Sequence, residues 1–159
     1  MLFEIASPIK PEKYDIDKEN INDYDVFKVN FTCEKINYIL IATIITYNKT
    51  KILYISFSTK DITDYCINNN DKIEYNELEN VYSKETNINK PFSVLSNIIW
   101  LILTISNNEN IDYFGFNTKK TEKFKIFDIY MKKFCNHITS INHPISNNEI
   151  IEIYKKEYE

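Results

Sequence analysis

The one place where a nucleophile, a base and metal-ligand chemistry come close along the chain is Cys135-Asn136-His137, with His143 following. A structural zinc site takes four such ligands and a catalytic one three plus water, so Cys33 and Cys66 would have to converge on this cluster. A covalent mechanism needs Ser or Cys beside a positioned base, and His137 and His143 are the only histidines. Both follow the last strong helical stripe rather than a nucleophile turn. The expectation is therefore a Cys135 packed beneath a helix and two surface histidines. Carboxylates pair at Asp61/Asp64 and at Glu74, Glu77 and Glu79, but acid–base work requires a cleft that separates their pKa values. Their polar surroundings place them on a solvated loop. No catalytic, cofactor-binding or metal-ligating residue is assigned, and no cofactor is expected.

Anion chemistry is restricted further. All 19 cationic residues are lysine, so no bidentate guanidinium fork is present. Gly115 is the only glycine, which excludes both the GxGxxG and the GxxxxGK[ST] phosphate loops, whose glycines let the backbone approach a phosphate. Lysines from Lys119 to Lys133 alternate with aromatics, the composition of a single-strand binder. A net charge of −4 argues against a nucleic-acid partner, and a solvated helix face explains those lysines.

Ile and Asn occupy 49 of the 159 positions, with Lys, Tyr and Phe also abundant, which reflects AT-rich coding. The 43% hydrophobic and 26% charged composition fits one globular domain. The longest apolar run, residues 98–103, is far too short to span a bilayer, so no membrane partner is expected. Three widely spaced cysteines and the absence of a basic, apolar leader suit free thiols in a reducing, cytoplasmic compartment.

The elements that must position these groups follow from periodicity. Residues 1–23, with Pro8, Pro11 and many charges, read as an extended or weakly ordered arm before a single α+β domain over 24–159. Residues 24–32, 36–47 and 51–59 are rich in β-branched and aromatic residues, predicting a three-stranded antiparallel meander. Leu53, Ile55 and Phe57 share one face; Ile52, Tyr54, Ser56 and Ser58 share the other. Residues 61–89 are polar, with a short helix near 61–67. Pro91 opens a helix in which Val94, Leu95, Ile98, Leu101, Ile102 and Ile105 recur at helical spacing, buried nearly all round. A strand over 111–116 follows. Thr118 or Thr121 caps an amphipathic helix with the stripe Phe124, Phe127, Met131, Phe134 and Ile138. Residues 137–141 form an edge strand, and the capping box Ser146-Asn147-Asn148-Glu149 starts a closing helix over 147–158.

The order of meander, buried helix, strand and amphipathic helix over 24–141 resembles the fold of the GCN5-related acetyltransferases. Pro91-Phe92, Tyr113-Phe114 and the Lys-x-Phe-Asp-x-Tyr-like helix at 125–130 also resemble small phage-encoded proteins. The acetyltransferase resemblance implies a pyrophosphate loop at residues 84–91, where this chain has no glycine and where Pro91 removes an N–H donor. It implies a tyrosine general acid in the second helix, which falls at Tyr130 or, by the other alignment, at Phe127. These departures point to a protein that works through its surfaces, by a protein partner or self-assembly, as a virion component or a host-directed inhibitor. Tyr75, Val81, Tyr82 and Ile88, in a polar stretch that does not oblige their burial, are the candidate contact surface. An acetyl-CoA-dependent transferase is the alternative.

Overall fold

Three pairs of polar residues shape the first half of the chain. Asn22-Asp23, Glu34-Lys35 and Asn48-Lys49 all have positive φ at both positions, the backbone of two-residue turns whose twist matches that of antiparallel strands. They join β1 (Lys13–Ile21), β2 (Tyr24–Cys33), β3 (Ile36–Tyr47) and β4 (Thr50–Thr59), with Ile21↔Tyr24, Cys33↔Ile36 and Tyr47↔Thr50 closing the hairpins. The computed structural model describes residues 8–59, 91–117, 122–144 and 149–157. Beyond the meander lie α1 (Pro91–Glu109), β5 (Tyr113–Asn117), α2 (Glu122–Phe134), β6 (Cys135–Asn142) and β7 (Ile150–Lys156).

The result is an α+β fold: the described strands form one seven-stranded sheet in the order β1-β2-β3-β4-β5-β7-β6, antiparallel except for β4 beside β5. No helix among the described residues is long and apolar enough to cross a membrane. Strand alternation sends Phe27, Val29, Phe31, Tyr38, Leu40, Ala42, Leu53, Ile55, Phe114 and Tyr154 to the face covered by α1 and α2. There they pack on Val94, Leu95, Ile98, Ile102 and Ile105 of α1 and on Phe127, Tyr130 and Met131 of α2. α1 is buried nearly all round, as its sequence predicts. The opposite face carries a smaller cluster of Ile45, Ile52, Ile141, Ile151 and Ile153, flanked by Tyr54 and Tyr113.

α1 ends on Asn110, whose φ of 56° and the 2.9 Å bond from the Ile111 N–H to the Ser106 carbonyl form a Schellman cap without glycine.

Three expectations need correction. Residues 13–21, read as part of an arm, form β1, paired along their whole length with β2. Ile16 of that strand packs on the core while its other residues are exposed, so its charges hid it. The segment before it is docked as well: the Ile9 N–H donates to Ser96 Oγ (3.0 Å) and Asn97 Nδ2 donates to the Ile9 carbonyl (2.8 Å). The closing helix is instead β7, because Ile151 and Ile153 face one way and Glu152 and Tyr154 the other, and both neighbours β5 and β6 take up its backbone groups. Ile138 belongs to β6 rather than to the α2 stripe and is half exposed. The expected short helix at 61–67 and the caps at Thr118, Thr121 and Ser146 lie outside the described residues.

Candidate functional site

β4 and β5 are paired over only three positions, Ile52↔Tyr113, Leu53↔Phe114 and Tyr54↔Gly115. Past this point each keeps its outer neighbour, β4 with β3 as far as Thr59↔Tyr38 and β5 with β7 as far as Asn117↔Ile151. The two parallel strands therefore diverge at their C-terminal ends. What packs between two parted strands decides the chemistry of such a place.

Aromatic rings of the chain itself meet at this divergence. Phe57 projects from β4 and Phe116 from β5, and Phe127 of α2 packs on both, with ring centroids 5.9 Å from Phe57 and 4.0 Å from Phe116. Tyr154 adds a further edge contact to Phe116 at 5.7 Å. Phe116 and Phe127 are both buried. Tyr130, one turn of α2 further on, is only 3% exposed, and burial pushes its phenol up to about 12. Residues 84–90, where the resemblance places a pyrophosphate loop, lie outside the described residues.

The Cys/His cluster is dispersed. Cys135 is buried in the main core, and desolvation raises its thiol to about 12. Cys33 is buried as well, and Cys66 lies outside the described residues. His137 is at the surface, as expected, bonded through Nε2 to Glu152. His143 corrects the expectation: it is buried on the other face of the sheet, its ring edge-on to Tyr54 at 4.8 Å. Burial lowers its pKa below the usual imidazole value, with Glu149 opposing the shift. Among the described residues, no group of three His, Cys, Asp or Glu side chains is placed to hold a metal ion.

Glu152 was not singled out from sequence, because its segment reads as helix. It receives both His137 and Ser140, whose Oγ lies 2.8 and 2.9 Å from its two carboxylate oxygens. Next to it the Tyr154 hydroxyl donates to Asp128, which also pairs with Lys132 at 2.9 Å. A serine nucleophile would need the imidazole on its own hydroxyl; here hydroxyl and imidazole share one carboxylate. The arrangement is a brace between β6 and β7. The alternation of Ile151 and Ile153 with Glu152 and Tyr154 was the available signal.

A cavity of about 520 Å³ lies between the ends of α1, α2 and β7, lined by Asn107, Asp112, Lys133, Phe134, Lys156 and Glu157 among others. Burial lowers the Lys156 pKa, and its Nζ donates to Asn107 Oδ1 at 2.7 Å. Of the lysines considered for nucleic acid, Lys132 is thus paired and Lys133 lines this mixed-charge cavity; Lys119, Lys120 and the side chains of Lys123 and Lys125 are outside the described residues. The carboxylates of residues 61–79 and the candidate contact residues Tyr75, Val81, Tyr82 and Ile88 are outside them as well. No family model, no curated protein and no solved structure matches the chain.

Proposed function

We propose that this chain is a non-catalytic interaction protein, encoded by a phage with an AT-rich genome. It would act in the host cytoplasm as an inhibitor of a host or defence protein, or in the virion as a structural component. The observation that carries the reading is the packing of Phe57, Phe116 and Phe127 where β4 and β5 part. A cofactor arm entering there would have to displace two buried rings, and burying a large aromatic side chain is worth about 1.5–3 kcal/mol. The buried Tyr130 and Cys135, and the sharing of Glu152 by His137 and Ser140, support the same reading. So do the AT-rich composition and the resemblance to small phage proteins.

The second reading, an acetyl-CoA-dependent N-acetyltransferase with an atypical cofactor loop, is favoured by the strand divergence itself. A meander followed by helix, strand and helix, with a parallel pair that separates after three positions, suits an acetyltransferase-like fold. Thermal melts with increasing acetyl-CoA distinguish the two, because a bound ligand stabilises by about 2.7 kcal/mol at 100 times its Kd. An unchanged melting temperature is expected. A rise that grows with acetyl-CoA concentration overturns the interaction reading in favour of the transferase.

A further inference from the structure

The two edges of the sheet are built differently. β1 carries Lys13, Asp15, Asp17, Lys18 and Glu19 along its nine residues. Charged side chains of this kind keep an exposed edge from recruiting another strand. β6, at the other edge among the described residues, has no Lys, Asp or Glu and no proline. It sits within residues 134–148, a stretch free of Lys, Asp and Glu in a chain that is 26% charged. Only two other stretches longer than ten residues lack these charges, 36–48 and 91–108. The first contains β3, paired on both sides, and the second contains nearly all of α1, buried nearly all round. β6 thus lacks, at an edge position, the charges that β1 carries, and its exposed Asn136, Thr139 and Ser140 are polar but uncharged.

We infer that β6 pairs antiparallel with β6 of a second copy of this chain, joining two seven-stranded sheets across a two-fold axis. In such a pair every residue faces a residue of the same strand, so any charge on β6 would meet a like charge at or near the axis. β6 satisfies that self-complementarity, whereas β1 does not. Its geometry is also preset. Glu152 holds both His137 and Ser140 from the neighbouring strand, so little ordering remains to be done on association. Ile138, 51% exposed at the bulge between His137 and Thr139, is the apolar side chain that association would shelter. The inference goes beyond the surface-acting reading and does not depend on it, since a transferase could dimerise in the same way.

The full chain in light scattering behind a sizing column should show a mass twice its 19.0 kDa at high micromolar concentration. Ile138→Lys and Thr139→Lys, both at exposed positions, should each retain the wild-type circular dichroism yet weaken dimerisation by roughly tenfold or more. Asp17→Asn on β1 should leave the mass unchanged. In the wild type, amides of residues 135–142 should gain hydrogen-exchange protection as concentration rises. A 19.0 kDa mass at every concentration would overturn the inference, whether β6 is open, covered by its own chain or reserved for another protein's strand. So would a dimer whose β6 amides show no concentration dependence, which reports on the wild type even if a variant misfolds.

Discussion

Phe127 and Phe116 meet with ring centroids 4.0 Å apart and planes at 63°, an edge-to-face contact that ties α2 to β5 beside the point where β4 and β5 part. Truncating Phe127 to Ala removes a buried ring and leaves its volume between the diverging strands. The expected loss is about 3–5 kcal/mol in chemical denaturation. Phe127→Leu, which keeps much of the volume, should lose distinctly less. If Phe127→Ala instead retained wild-type stability, the contact would not be part of the packed core.

His143 makes stability depend on pH in a definite direction. Its folded-state pKa is lowered, so folding favours the neutral ring. The contribution is complete above the unfolded value near 6.5 and is lost as pH falls from there through the lower folded value. Denaturation midpoints of the wild type should therefore drop between neutral and mildly acidic pH more steeply than those of His143→Phe, whose ring does not titrate. Parallel curves for the two proteins would show that the buried imidazole carries no linkage.

How far the fold was legible depended on whether one pattern dominated. β2 to β4 show dense β-branched and aromatic alternation, and α1 repeats Val94, Ile98, Leu101 and Ile105 at helical spacing, so both are readable without tertiary information. β7 was ambiguous because Ile150, Ile153 and Tyr154 fit a helical stripe as well as Ile151 and Ile153 fit a strand. Hydrogen bonding to β5 on one side and β6 on the other decided it. β1 was masked by the charges that guard its edge. At the candidate site, the aromatic stripe of α2 was readable as core, but its meeting with Phe57 and Phe116 depends on long-range strand order. The burial of His143 against Tyr54 was equally invisible, since it depends on which face of the sheet the chain crosses after β6.

The three hairpin turns are made without glycine, and Glu34-Lys35 is the least suited of them to its backbone. Its φ values of 51° and 68° place two long side chains in the left-handed region, which costs residues with a Cβ about 1–2 kcal/mol each. Asn22-Asp23 tolerates this better, because short polar side chains bond locally to the turn. Replacing Glu34-Lys35 with Asn-Gly should therefore raise stability, by about 1 kcal/mol once the extra freedom of glycine in the unfolded chain is counted. Urea midpoints at constant m-value are the measure. A loss of stability would mean that the Glu34 or Lys35 side chain makes contacts worth more than the backbone strain.

Gly115, the single glycine of the chain, is required for space rather than for an unusual backbone angle. A Cβ built on it would come within 2.8 Å of Ile151 Cγ2 and 3.2 Å of Ile52 Cγ2. Those methyls belong to β-branched side chains with little rotational freedom, on strands held by ladder hydrogen bonds, so neither can yield without moving backbone. Gly115→Ala should cost about 1–3 kcal/mol by overpacking the cluster opposite the helices. Removing the obstructing methyl tests the cause. Ile151→Ala is destabilising alone through its cavity, but combined with Gly115→Ala it should cost less than the sum of the two, with a coupling of about 0.5–3 kcal/mol. Strict additivity in that double-mutant cycle would place the effect of Gly115→Ala in the backbone instead.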